Sequence, residues 1–343
     1  MNFDFNEEQT MIMDGIARYI REEYDFDRRR SIIESDSACS DDVWRQFSEL
    51  GWLSIPFDES YGGFGGHADD LAGVMLELGK GLIIEPYMST VVVFGSLLNA
   101  SNNDSLKEQL IPRIINGQYK GSFAYAEEQS RFEISDVKTS AQKCGDGYKL
   151  NGTKIAVIDA KESDGLIVTA RTGGSQYGAE GISLFLVDTS AEGVAVSSYN
   201  TMDSHSSSTI NLENVFVTEA NLIVHEGEGF RHIESCLPQI LLCLSAEALG
   251  IMEVLNKLTV EYSKTRKQFG APIGSFQALQ HRMVDNFMAF EQSKSMVYRG
   301  ICESTSFNKN DIDINQFLKT AHAVKALIAK NSKQIGDESI QIH

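Results

Sequence analysis

Residues Tyr262–His281 read YSKTRKQFGAPIGSFQALQH. A long run of helical apolar spacing ends in this basic, aromatic stretch, punctuated by Gly270, Pro272 and Gly274, and helical spacing then resumes. A plain connection between bundle helices has no use for Lys264, Arg266, Lys267 and Arg282 together with Gln268 and Gln277. A turn that holds the phosphates of a dinucleotide would explain them. The plainer reading is that Arg266 caps a helix end, where a cation is favoured in any case.

On the N-terminal side of this stretch, Leu241, Leu244, Ala248, Ile251, Leu255, Leu258 and Tyr262 form one predicted stripe of a long helix. On the other side a second long helix follows Pro272, and a third runs from Phe317 to the chain end. The first third of the chain is also helical. Asn6 with Gln9 makes a capping box ahead of Ile12, Ile16, Tyr19 and Ile20. A helix from Asp41 or Asp42 carries Val43, Phe47 and Leu50 and ends at Gly51, and another carries Leu71, Val74, Met75 and Leu78 and stops at Gly79. PYMSTVVVFGSLL and SLKEQLIPRIINGQ add two more, with Pro112 kinking the second. From about Tyr119 the pattern becomes short β-branched runs, with Asn151-Gly152 reading as a hairpin turn. The predicted fold is therefore α+β and multidomain. It comprises an all-α N-terminal domain (1–118), a middle antiparallel β-barrel or sandwich (119–222) and a C-terminal helical bundle (223–343), incomplete at its end.

The chain has 343 residues, 42% hydrophobic and 23% charged, with a net charge of -18, the composition of a globular protein. That charge argues against nucleic acid, whose binding rests on Lys and Arg, and against an anionic membrane surface. A small phosphorylated ligand needs only a few local cations. The five cysteines (Cys39, Cys144, Cys236, Cys243, Cys302) are scattered without a CxxC pair and read as reduced thiols. The start MNFDFNEEQ lacks the regions of a signal peptide, no apolar run approaches spanning length, and the histidines lack metal-ligand spacing. The expectation is a cytoplasmic protein without metal or membrane insertion.

ELGWLSIPFDESYGGFGG (Glu49–Gly66), GDGYKLNGTK (Gly145–Lys154) and above all TRKQFGAPIGSFQALQH resemble the acyl-CoA dehydrogenase family over essentially the whole chain. Within it the resemblance is to the small subunit of pimeloyl-CoA dehydrogenase and related two-gene enzymes. It implies FAD, an acyl-CoA substrate dehydrogenated to 2-enoyl-CoA, and an electron-transfer flavoprotein as acceptor. It also implies a carboxylate base for the α-proton. By the same resemblance Arg266 reaches the FAD pyrophosphate of a neighbouring subunit, its planar fork suiting a bidentate contact. Gln268 lies in that turn, Phe269 packs near the flavin, and Gln277 and Gln341 help hold the dinucleotide.

Other positions depart from the family pattern. Where a flavin-cradling loop reads Thr-Glu-Pro-Gly-x-Gly-Ser-Asp, this chain reads AEEQSRFE, Ala126–Glu133, with Gln129 and Arg131 in place of the glycines. Tyr125, Ala126 and Glu127 are carried over as candidate cofactor contacts. The Trp-Ile-Thr beside the flavin ring is Ala156-Val157-Ile158, of which Val157 and Ile158 are carried over. Arg131 and Phe132 are candidate substrate contacts. The base position on the bundle helix is Ile240, with Leu241 where the family has arginine, and the alternative base position would lie beyond His343 past a Gly-Gly turn. Glu247 is the one acidic residue in ILLCLSAEALG, read either as a relocated base or as a structural carboxylate facing Arg266 or Lys264. Groups lent to a neighbour's flavin are kept, while groups for the chain's own flavin are mostly replaced. Three functions follow from this pattern: the small subunit of a heterotetramer completed by a large subunit, a divergent self-sufficient homotetramer, and a non-catalytic scaffold of the same fold.

Overall fold

The computed structural model describes residues 5–35, 37 and 39–343, so the reading of the first four residues lies outside them. Helices α1 (Glu7–Glu23), α2 (Phe26–Ile33), α3 (Asp41–Glu49) and α4 (Ala68–Lys80) come first, followed by a π-helix at Tyr87–Phe94 that leads into α5 (Gly95–Asn99) and then α6 (Asp104–Ile115). Strands β1 (Gly121–Ala124), β2 (Ser140–Cys144), β3 (Gly147–Ile158), β4 (Gly165–Arg171), β5 (Ile182–Asp188), β6 (Val194–Asn200) and β7 (Ser206–Thr218) follow. The chain closes with α7 (Gly229–Thr265), the short strands β8 (Lys267–Gln268) and β9 (Ala271–Pro272), α8 (Gln277–Asn308) and α9 (Ile314–Ile342). The predicted order of helices, sheet and helices is the observed one.

The chain forms two compact units that interleave in sequence. One is Met1–Arg29, His67–Ile83 and Pro238–His343, and the other is Arg30–Gly66 and Ile84–Leu237. In the first unit the capping box forms as read: Gln9 N donates to Asn6 Oδ1 at 2.8 Å and Asn6 N to Gln9 Oε1 at 2.9 Å. Helix α4 does not stop at Gly79 but runs on to Lys80. Gly79 serves instead for a close approach: a Cβ there would lie 2.2 Å from the Glu247 carbonyl oxygen, and one at Gly250 would lie 2.1 Å from that of Leu76. Helices α4 and α7 thus meet backbone to backbone. This choice of face decides the burial of α7. Leu242, Cys243, Ala246, Leu249 and Met252 are buried, whereas Leu244 and Leu258 of the predicted stripe are 40% and 54% exposed. The stripe was misplaced because α7 is apolar on more than one side. The helix is long and apolar enough to cross a membrane by length and composition, and half of the qualifying window is buried inside the protein.

In the second unit the sheet order is β1-β4-β2-β3-β7-β6, with β5 on β4. Most pairings are antiparallel, but β1 runs parallel to β4 and β2 meets β4 in parallel at Ser140 and Arg171. Tyr148, Leu150, Val157, Leu166, Val168, Phe185, Ile210 and Val215 belong to its core. Asn151-Gly152 is not a hairpin turn. Both residues lie within β3, at a register shift against β7. The glycine answers a different need, because a Cβ at Gly152 would lie 2.4 Å from Thr139 Oγ1. The hairpin turn falls instead at Gly145-Asp146, between Cys144 and its partner Gly147. Leu50, expected on the buried face of α3, is 51% exposed.

Candidate functional site

The loop that leaves β1 is organised from within by a buried ion pair. Lys154 Nζ lies 2.7 Å from Glu127 Oε1, with side-chain exposures of 0% and 4%. The same ammonium donates to Thr169 Oγ1 at 2.7 Å. Glu127 Oε1 also accepts from Thr139 N at 3.0 Å, and Oε2 accepts from Lys138 N at 2.8 Å and Gln129 Nε2 at 2.9 Å. Burial pushes the Glu127 carboxyl up, but the Lys154 charge and these donors more than reverse that and hold it at about 2. Burial pulls Lys154 down to about 8, against the support of the Glu127 carboxylate. Both oxygens of Glu127 are therefore engaged within the protein, which gives it a structural role in this loop.

Several main-chain bonds complete the loop. Glu127 N donates to Ser130 Oγ, which donates back to Glu127 O, and Ile155 N donates to Ala126 O at 2.9 Å. Arg131 stands where the family has glycine and adopts a left-handed φ of 48°. The backbone form that glycine permits therefore persists with a bulky side chain on it. Arg131 and Phe132 both face solvent, Phe132 completely. Tyr125 is 40% exposed and stacks on Phe123 with ring centroids 5.2 Å apart. Ala126 is half-buried. On β3, Ile158 is exposed, but Val157 is buried in the sheet core, so its side chain cannot face a flavin.

Two residues missed in the sequence organise this region. Lys154 could have been found, since it follows Tyr148 and Leu150 in the inward alternation of β3. Arg171 gave no such signal. Its guanidinium donates to five carbonyls, those of Val137, Glu180, Ser135, Gln176 and Gly178, and so ties two loops together.

The turn after α7 belongs to the other unit and is built differently. Gln268 pairs with Ala271, leaving Phe269 and Gly270 as a two-residue loop with φ of 52° and 82°. Both left-handed values suit a tight hairpin. Phe269 is 95% exposed, its ring 6.2 Å from that of Phe276 in an edge-on arrangement. Arg266 N closes the helix onto Tyr262 O at 2.9 Å, and its carbonyl accepts from Ile273 N at 2.8 Å. The cations of the stretch now separate. Lys264 pairs with Glu261 at 2.6 Å and Arg282 with Glu338. Arg266 is exposed and makes no ion pair among the described residues. Gln268, Gln277 and Gln341 are exposed as well. The last turn of α9 is tied to this turn, because His343 stacks on Tyr262 with centroids 4.4 Å apart. Arg266, Gln268, Phe269, Gln277 and Gln341 are thus outward-facing groups at one end of the bundle.

The reading of Glu247 as a carboxylate facing Arg266 or Lys264 does not hold. All three belong to one straight run of chain, and 17 helical rises separate Glu247 from Lys264, about 25 Å. Lys264 is already paired with Glu261. Ile240, at the family base position, is a half-buried apolar residue of α7.

The helix–sheet–helix fold, with an outward basic turn between two long bundle helices, defines the class. The family models of the acyl-CoA dehydrogenase N-terminal, middle and C-terminal domains match residues 6–118, 122–215 and 227–343. The chain belongs to the acyl-CoA dehydrogenase family, and is accordingly an oxidoreductase of a family that works with FAD. It is 30% identical to "Probable acyl-CoA dehydrogenase YngJ" of Bacillus subtilis, over 100% of this chain and 89% of that protein. It is 27% identical to L-prolyl-[peptidyl-carrier protein] dehydrogenase of Serratia sp., over 99% and 88%. Among solved structures it is similar to an FAD complex of PigA, with a TM-score of 0.89, 25% identity and coverage of 100% and 88%. It is also similar to the electron transferring flavoprotein of Acidaminococcus fermentans, with a TM-score of 0.87, 27% identity and coverage of 100% and 89%.

Tested against FAD, the two regions give different answers. The turn at Arg266 fits: an exposed guanidinium, an exposed aromatic ring and three exposed amides can hold a dinucleotide's phosphates. The loop at Ala126–Phe132 does not fit as a cradle. Its glycine positions carry Gln129 and Arg131, its threonine position has no hydroxyl, and the carboxylate of Glu127 is committed to Lys154.

Proposed function

We propose that this chain takes part in FAD-dependent α,β-dehydrogenation of an acyl-CoA as the small subunit of a heteromeric acyl-CoA dehydrogenase. In this reading Arg266, Gln268, Phe269, Gln277 and Gln341 are lent to a flavin seated mainly in a large subunit. An electron-transfer flavoprotein takes the electrons. FAD supplies the two-electron acceptor when bound. The observation that carries the reading is the contrast just described: Arg266 is exposed and uncommitted, whereas Glu127, at the family's loop glutamate position, is locked inward. Ile240 cannot accept a proton, and in this reading the base is the large subunit's, while Tyr125, Ile158, Arg131 and Phe132 remain as surface positions for substrate or ring contact. The three-part division at 118/119 and 222/223 belongs to the same reading. The relative from Serratia acts on a carrier-bound prolyl group, so CoA and carrier-protein thioesters are the two substrate forms to compare.

The test is bound flavin per polypeptide, measured by visible absorbance after gel filtration. Little or no FAD on the chain alone, rising to roughly one per pair when a large dehydrogenase subunit is co-expressed, is the expected outcome. One FAD per chain without a partner would sink the shared-site reading in favour of a self-sufficient homomer.

A further inference from the structure

A recess of about 310 Å³ opens on the helical unit where α1, α4, α7 and α8 meet. Leu76, Leu249 and Phe290 are buried at its floor, and Phe5, Met13 and Tyr298 stand half-buried around it. Three charged side chains also line it: Lys80, Glu253 and Lys294. Lys80 is anchored on the buried Glu77 at 2.8 Å and more loosely joined to Glu253 at 3.4 Å, whose side chain is 48% exposed. Lys294 makes no ion pair among the described residues. Its Nζ lies 5.8 Å from the centroid of the Tyr298 ring, which meets Phe5 edge-on with centroids 5.9 Å apart. Apolar walls with a few placed charges are the pattern of a small-molecule site. In a chain of net charge -18, a lysine left without a carboxylate beside aromatic rings is the group that sets the sign of the ligand.

We propose that this recess binds a small aromatic monocarboxylate. The ring lies among Phe5, Phe290 and Tyr298, where aromatic groups meet edge-on or offset. The carboxylate pairs with Lys294 and takes the place of Glu253 on Lys80. That exchange costs little, because a long ion pair to a half-exposed carboxylate contributes little to the fold. Lys80 stays in position throughout, held by Glu77. The volume falls at the small end of the roughly 300–1,000 Å³ usual for ligand sites, which suits a compact acid. Thirteen helical rises of α7 separate Glu253 from Ile240, about 20 Å. None of the residues assigned to the flavin lines the recess, so the site stands or falls separately from that reading.

The experiment is isothermal titration of the full chain with 3-phenylpropionate, with its neutral amide 3-phenylpropanamide and with acetate. Saturable binding of the aromatic acid is expected, with the amide and acetate each at least tenfold weaker. Lys294→Met removes no ion pair of the folded chain and should weaken the acid at least tenfold, by loss of a charge-assisted contact. Glu253→Gln should strengthen binding several-fold, because it removes the carboxylate that competes for Lys80. Should Lys294→Met fail to fold, the gain in Glu253→Gln carries the test. No saturable binding at millimolar acid overturns the proposal. So does equal binding of the acid and its amide, equal binding of the acid and acetate, or an affinity that neither variant changes.

Discussion

The loop Tyr125–Thr139 and the turn Tyr262–Gln277 are both places where this fold could meet a cofactor, and they spend their polar groups in opposite ways. In the loop the buried carboxylate Glu127 is turned inward onto Lys154 and two backbone amides, and Arg171 of β4 binds five carbonyls from outside it, while Glu128, Arg131, Glu133 and Lys138 stay exposed. In the turn the ring of Phe269 and the guanidinium of Arg266 point outward. A region that satisfies itself has little left to offer a ligand, because an ionic group already paired and desolvated must lose that pairing before it can form another. A region whose groups are hydrated can exchange water for ligand at small cost.

The contrast can be broken most sharply at the ion pair. Glu127→Gln or Lys154→Met alone should cost about 3–5 kcal/mol, because each strands its partner in the interior. The double variant should recover most of that loss, as urea titration of a double-mutant cycle would report. If both singles cost under about 1 kcal/mol, the loop is not held together by this pair.

The same pair sets an acid limit. The Glu127 carboxyl sits at about 2 in the folded chain against an ordinary 4.5. The folded state therefore binds this proton less readily than the unfolded one, and the resulting stability is full above pH 4.5 and lost as pH falls toward 2. Its size is on the order of 3 kcal/mol. A urea midpoint followed from pH 5.5 to 3 should decline in wild type and decline visibly less in the double variant.

At the turn, Arg266→Ala should leave the unfolding midpoint of the chain within about 0.5 kcal/mol, as for an exposed unpaired side chain. It should weaken FAD retention in the assembled enzyme at least tenfold, by loss of a charge-assisted phosphate contact. Unchanged retention would remove Arg266 from the cofactor-holding set. The smallest effect is expected at Arg131→Gly. Relief of a left-handed φ contributes up to about 1 kcal/mol, set against the greater freedom of glycine in the unfolded chain. A gain in thermal midpoint of a few degrees or none is expected, and a clear loss would mean that the Arg131 side chain has a partner in the working assembly.

How much of this was readable in advance depended on what kind of signal a residue carried. The Asn6–Gln9 capping box is a local pattern, and it formed as read. The basic turn is local too, and its arginine, aromatic and glycine stayed together. Asn151-Gly152 failed because its glycine answers a tertiary demand, the approach of Thr139, that no neighbouring residue announces. The face of α7 was misjudged for the same reason: periodicity cannot choose between two apolar sides, and the backbone contact at Gly79 and Gly250 did. Helix α2, FDRRRSII, went unseen because one buried residue, Ile32, is too little pattern to read. The Glu127–Lys154 pair joins positions 27 apart in sequence, and only strand register brings them within reach.

The hairpin at Phe269-Gly270 has one more consequence. Phe269 already occupies a left-handed backbone position and already stands in solvent. The conformational penalty for presenting that ring is therefore met when the chain folds, and not when a partner arrives. Docking against it would surrender little backbone freedom, so the turn behaves as a preorganised plug whose shape does not depend on the socket it enters.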